Sequence, residues 1–386
     1  MKKGICIVAV LLCAALVFAG CSAAGTPSAS EPAAASSAPA SAPASASTAP
    51  ASSAAAPAAG KAISIALLDS SNGNSWRAQM EQEINDLVAE YKTKGLVSNY
   101  VAFSANDDAT VQAQQLNQIV SAGKTDVVLI NPASSTALNP AIDKAIAAGI
   151  TVMGLDSIIQ NADVVTISTD QAQWASAQAQ FLADKLGGKG KIVIFNGIQG
   201  FPASDLRQKA FHDVLDKYPD IQVLKEVYHG WDEGKAKQTM ATLISAYPEI
   251  DGILNQECSP GIMQAYQEAG VPMPKVLGSD ETVNYLNLWD AYNTKNPDKA
   301  FEGIIVGNPP GVGADAVKLA VQMANGKTFK DGVLTDVDGG KALLLKPAPI
   351  VTNENRAEYV AKCKGLAETY TFSNVLSDDE IAAFLK

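Results

Sequence analysis

"IALLDSSNGNSWRAQMEQEI" (65–84) decides how the chain is read. Four apolar residues, Ile65 to Leu68, break off at Asp69 into a polar corner, Ser70-Ser71-Asn72-Gly73-Asn74-Ser75, and then Trp76 and Arg77 stand where a helix begins. A short apolar run, a cluster of turn formers and a helical period make the first half of a strand–helix–strand unit. The same alternation continues along the chain. Apolar runs at 62–68, 97–103, 126–130, 150–155 and 163–168 are separated by helical patterns at 75–92, 110–122 and 138–148. A second series has runs at 191–195, 221–227, 251–254, 275–278 and 301–306, with helical patterns at 170–186, 203–218, 234–246, 259–269 and 310–324. Strands alternating with helices predict parallel sheets covered on both faces, and two series of similar length predict an α/β protein of two doubly wound lobes.

The first twenty residues differ from the rest. Lys2 and Lys3 precede an apolar run from Ile5 to Phe18, followed by "FAGC" (18–21), the pattern of an export signal. "AGC" is similar to the end of a bacterial lipobox, with Phe18 where that box prefers Leu, and this implies a lipid on Cys21. Residues 22–60 are Ala, Ser, Pro, Gly and Thr with Glu31 as the one charge, a composition with too little apolar bulk to offset chain entropy. The expectation is a tether between a membrane anchor and a folded domain that starts at Lys61. The whole chain is 47% hydrophobic and 18% charged, ordinary for a protein with a core. Its net charge is −11, two units more negative once Lys2 and Lys3 are removed, and no basic patch marks a nucleic-acid partner. Of the cysteines beyond the leader, Cys258 and Cys363 are read either as a pair or as two buried thiols.

The strand ends carry the function. "VVLINP" ends at Asn131, "TVMGLDS" at Asp156, "IVIFNG" at Asn196, "GILNQE" at Asn255 to Glu257 and "VLGSDE" at Asp280. In open parallel sheets, ligands bind beyond the carboxyl ends of the strands. Taken singly, each Asn, Ser or Asp serves as well as a helix cap or turn former. Several polar ends together with Trp76 read better as the wall of a ligand site.

These stretches, with "INPASSTALNPAIDKAIAAGITVMGLD" (130–156) and "NPPGVGADAVKLA" (308–320), resemble the type I periplasmic sugar-binding proteins, the ribose-binding-like solute receptors of ABC importers. The resemblance runs from about Lys61 to Leu345. It implies two lobes, 61–169 plus 308–346 and 170–307 plus 347–386, joined by a three-segment hinge near Ser168–Asp170, Gly307–Asn308 and Lys346. It implies that Asn74 offers an amide to hydroxyls, that Trp76 and Trp231 stack on the sugar, and that Asp156, Asn255 and Asp280 accept or donate around its rim. Arg77 stands where a second aromatic is common. Ser157 replaces an Arg of the ribose-type pattern, and a second pocket Arg falls at Asp205, with Arg207 nearby. The pocket therefore exchanges arginines for an acid, which suits a differently hydroxylated sugar, a polyol or an amine-bearing solute better than ribose. Sugar chemistry agrees, because indole planes cover C–H faces while carboxylates and amides take the hydroxyls.

The expected function is capture of a sugar or polyol between the lobes and delivery to a membrane permease, by a monomer without cofactor or metal. A sensory receptor feeding a kinase or chemoreceptor is the alternative, and an exported enzyme a third. Against an enzyme, His212 and His229 have no evident nucleophile partner, and neither an H-E-x-x-H nor a G-x-S-x-G motif occurs. "GVGADA" (311–316) mimics a dinucleotide fingerprint but follows Pro309-Pro310, and is read as a helix start with small residues for close packing.

Overall fold

The computed structural model describes residues 61–386; the export signal, Cys21 and the Ala/Ser/Pro stretch lie outside the described residues. The chain begins with β1 (Ile63–Asp69), α1 (Ser75–Thr93), β2 (Val97–Ser104), α2 (Ala109–Ala122), β3 (Val127–Asn131), α3 (Asn139–Ala147), β4 (Thr151–Leu155) and β5 (Val165–Thr169). It crosses into a second lobe as α4 (Gln171–Leu186), β6 (Lys189–Asn196), α5 (Pro202–Leu215), β7 (Asp220–Tyr228), α6 (Glu233–Ala246), β8 (Gly252–Asn255), α7 (Ser259–Ala269), β9 (Val276–Leu277), α8 (Val283–Lys295) and β10 (Glu302–Val306). It returns with α9 (Val312–Ala324), β11 (Thr335–Val337) and β12 (Gly340–Leu345), and crosses again for β13 (Ile350–Thr352) and α10 (Arg356–Lys362). A last helix, α11 (Asp378–Ala383), ends the chain.

The first sheet has the order β11-β12-β5-β4-β3-β1-β2 and the second β13-β10-β9-β8-β6-β7. All pairings are parallel except at two edges, where β11 lies antiparallel to β12 and β13 antiparallel to β10. The two lobes thus carry mostly parallel sheets, with antiparallel edge strands that the βαβ reading did not include. Side-chain alternation explains the layering. On β1, Ile65 and Leu67 pack with Met80, Ile84 and Val317 of α1 and α9, while Ala66 and Leu68 pack with Leu116 and Ile142 of α2 and α3. On β6, Val193 and Phe195 join one core and Ile192 and Ile194 the other. A strand buried on both faces reads as an unbroken apolar run, which is why each was visible in the sequence.

The "GVGADA" stretch opens α9. A Cβ on Gly313 would come within 2.6 Å of Met80 Cγ and 2.8 Å of Ile84 Cδ1, so this small residue sets how closely α9 approaches α1. Cys258 and Cys363 are both free and buried.

At the crossings, the Asp170 N–H donates to Leu345 O (2.8 Å), the Gly307 N–H to Pro349 O (2.8 Å) and the Ala348 N–H to Gly307 O (3.2 Å), so three connecting segments lie side by side. A Cβ on Gly307 would collide with the Ala348 carbonyl. The expectation that 347–386 belongs wholly to the second lobe is corrected. β13 and α10 pack there, but Ile381 and Leu385 enter the core of α1 and α9, and Leu385 bridges Phe329. The physical reason is an apolar face on a short helix that the first lobe can bury. The chain therefore crosses a fourth time, near 373–376.

Candidate functional site

The strand-end corner of β1 folds as a helix start. Asn74 is the N-cap of α1, its side chain accepting the Arg77 N–H at 2.9 Å. Trp76 and Arg77, the second and third residues of α1, are thereby aimed back over the sheet edge. Both are buried; the Trp76 indole N–H donates to Asn308 O at 2.6 Å, and the Arg77 guanidinium donates to Asp107 at 3.0 Å. Arg77 then reaches across to the other lobe, 5.1 Å from the Phe201 ring centroid and 5.9 Å from that of Trp231. Where the resemblance implied a second aromatic, a planar cation covers the same kind of surface.

Between the lobes lies a cavity of about 450 Å³, within the range of small-molecule sites. Asn74, Trp76 and Arg77 line it from the first lobe, and Trp231, Glu257 and Asp280 from the second. It narrows into a recess of about 20 Å³ bounded by Asp156, Ala203, Arg207 and Asn308. Six of the eight residues expected from the sequence, Asn74, Trp76, Arg77, Asp156, Trp231 and Asp280, line one or the other.

Asn255 and Asp205 do not. Asn255 is buried one layer behind the wall, in a directed chain of hydrogen bonds. The Trp231 N–H donates to His229 Nδ1 (2.9 Å), which leaves His229 Nε2 to donate to Asn255 Oδ1 (3.3 Å). The Asn255 amide donates to Ser259 Oγ (2.9 Å), which donates to Gly278 O (2.8 Å). Burial pushes the His229 pKa down to about 4, so the ring is neutral and can accept at Nδ1. Asp205 is exposed and accepts the Gly200 N–H at 3.1 Å. On a helix, residues two apart point to nearly opposite sides. Arg207 takes the inward face of α5, so Asp205 takes the outward one. Arg207 stacks on Trp174 at 3.9 Å, bonds Gln171 through Nε (2.7 Å) and pairs with Glu257 (3.3 Å).

Phe201, Glu233 and Glu281 were not legible as site residues. Phe201 meets Trp231 edge to face at 5.2 Å. Glu233 opens α6; the residue is exposed, but its carboxylate turns inward to accept the Gly261 N–H at 2.6 Å. Glu281 is 1% exposed, and its Oε2 accepts the Asn308 N–H at 2.9 Å while Oε1 has no partner. The one available signal was its place directly after Asp280 at a strand end.

Backbone geometry marks the same region. Asp156 (φ 62°), Trp231 (54°), Glu257 (77°) and Cys258 (63°) all lie in the left-handed region that non-glycine residues seldom adopt, and all four line the cavity or its recess. Trp231 can sit so because Gly197 beneath its ring has no Cβ to meet it.

The electrostatics are acidic. Burial pushes Glu257 up to about 7 against the lowering effect of Arg207. Burial, with the Asp280 charge adding to it, pushes Glu233 up to about 8. Burial also raises Asp280, against hydrogen bonds from Thr282, and holds Glu281 well above the usual carboxylate range. Behind Trp76, Asp69 is buried at the end of β1 and is pushed up to about 7, again by burial, with Arg77 opposing. The wall thus offers two indoles, two guanidiniums, the Lys235 ammonium and several carboxylates: apolar faces ringed by hydrogen-bonding groups.

The family model described as periplasmic binding protein domain matches residues 65–328. A xylitol-binding protein of Mycolicibacterium smegmatis is 32% identical over 198 residues, which cover 50% of this chain and 56% of that protein. The Bacillus subtilis ribose import binding protein RbsB is 25% identical over 270 residues, 69% of this chain and 83% of that one. Among solved structures, an ABC transporter solute binding protein from Thermobispora bispora superposes with a TM-score of 0.71 at 22% identity, covering 83% of this chain and 94% of that chain. Two facing α/β lobes with a walled cavity between them, and a family match over most of the folded chain, agree: the protein belongs to the type I periplasmic binding proteins.

Proposed function

We propose that the protein is an extracytoplasmic solute-binding protein of an ABC importer, taking a sugar or sugar-like polyol between its lobes and presenting it to a membrane permease. The single observation that carries this is the cavity itself, in which Trp76 and Trp231 approach from opposite lobes and most of the remaining wall is polar, with carboxylates, amides, two guanidiniums, an ammonium and hydroxyls. A sugar has apolar C–H faces and a belt of hydroxyls, and this wall complements both. The relatives named above, a xylitol-binding and a ribose import protein, support the same solute class.

Closure follows from the geometry. Only with the lobes together do Arg77 and Trp231, or Asp156 and Arg207, face one solute, so the solute favours that arrangement by its differential contacts. Binding and release require no bond making, and we read the protein as a receptor without catalytic activity. The leader sequence and Cys21 support export and a lipid anchor, and the unit that closes is one chain.

A thermal-shift screen of sugars and polyols tests the reading, since a solute that binds only the folded state raises the melting temperature. Equilibrium dialysis of any hit should return the solute unchanged. A chemically altered product would replace the receptor with an enzyme.

A further inference from the structure

The acidic groups of the cleft are not matched by a neutral polyol. Arg77 is tied to Asp107, and Lys235 stands 3.8 Å from Asp232. Glu257 has Arg207. The remaining wall acids, Glu233, Asp280 and Glu281, have no cation within ion-pair distance among the described residues. Asp280 takes two donors from Thr282, Glu233 one from Gly261 and Glu281 one from Asn308. Glu281 Oε1, on a side chain that is 1% exposed and lines the cavity, takes none.

A buried acceptor without a donor costs free energy until one arrives, and a buried acid without a counter-charge keeps its proton until a cation arrives to hold the carboxylate. Hydroxyl groups meet the first demand but not the second. Among the described residues no three His, Cys, Asp or Glu side chains converge as metal ligands do, so an organic cation is the fitting counter-charge. A primary ammonium brings one positive charge and three donors. We propose that the solute is an amino sugar or amino-polyol, its ammonium seated against Glu281 with Asp280 and Glu233 beside it and its carbon skeleton against the indoles. This rests on the cleft being the sugar or polyol site argued above, and it narrows the solute class.

Calorimetric titration with matched sets tests it: D-glucose, D-glucosamine and N-acetyl-D-glucosamine; the three galactose counterparts; sorbitol and 1-amino-1-deoxysorbitol. The N-acetyl compounds keep the nitrogen and remove its charge. In the set that fits best, the amine should bind at least about tenfold tighter than its uncharged counterparts. Uncharged members binding as well or better would overturn the inference and leave the receptor reading standing, whereas no binding in any set would remove both. Glu281→Gln should erase the preference for the amine, bringing the ratio of its affinity to that of the uncharged members close to one. If that variant does not fold, Glu233→Gln at the exposed lip serves, with a smaller loss of preference expected. Unchanged preference in a folded variant would also overturn the proposal.

Discussion

Trp76 and Trp231 have the same side chain but not the same mechanical position. Trp231 sits half-exposed on the bare backbone of Gly197, whereas Trp76 is 6% exposed, belongs to the first lobe's core and donates to Asn308. Trp231→Ala is therefore expected to weaken solute binding by about tenfold or more, by analogy with other buried aromatic contacts, with little change in unfolding free energy. Trp76→Ala should instead cost about 3–5 kcal/mol of stability, as large core truncations do. Parallel calorimetry and urea titration separate the two; equal stability in both variants would contradict the placement of Trp76. Asp205→Asn should leave affinity unchanged, because its carboxylate caps a surface loop, and a drop of tenfold would reinstate it in the site. The residue scale is also where sequence reading was weakest. A polar strand end says that a side chain lies at the sheet edge, not whether it faces the cavity or the layer behind it. Asn255 and Glu257 stand two apart on the same strand end, yet one braces His229 and the other lines the wall.

Among the elements, the order of the central strands was legible because fully buried parallel strands leave unbroken apolar runs, whereas β12, also parallel, and α10 were not read. α8 was not legible. "VNYLNLWDAYNTK" (283–295) contains three Asn, two Tyr and a Trp, all modest helix formers, and is helical because Tyr285, Leu286 and Trp289 bury into the second core. The short antiparallel edges, three residues each in β11 and β13, offered too little pattern to read. The docking of α11 on the first lobe was not legible, since a helical period does not name the surface that buries it. Ile381→Ala is expected to lower stability by about 2–5 kcal/mol in denaturant titration. An effect near zero would mean the tail does not hold on to the first lobe. At the crossing, Gly307→Ala meets backbone rather than a yielding side chain, and overpacking of that kind costs about 1–3 kcal/mol.

For the molecule as a whole, the buried acids set the pH response. Asp69, Glu257 and Asp315 are pushed up to about 7 by burial, from ordinary values of 3.8 or 4.5. Between those limits the folded chain holds protons that the unfolded chain has released, so stability falls as pH rises. Their contribution is complete below about pH 4 and is lost as pH passes through about 7. His229, lowered to about 4, acts oppositely below its ordinary 6.5, but it is one group against several. The solute-free protein is therefore expected to melt higher at pH 5.5 than at pH 8, measured by calorimetry in matched ionic strength. A melting temperature that climbs toward pH 8 would show that these acids are ionised and solvated in the fold.

Asn308 gives that assembly its fulcrum. Its carbonyl holds Trp76, its N–H holds Glu281, and its side-chain amide touches both Asp156 and Gln171. All four partners converge on a single residue of a connecting segment, and three of them, Trp76, Glu281 and Asp156, line the cavity or its recess. A push on any of the three is delivered to the pivot through one hydrogen bond, at the short end of the lever. Displacements of a fraction of an ångström there translate into far larger travel at the outer rims, the surface that a membrane partner would meet.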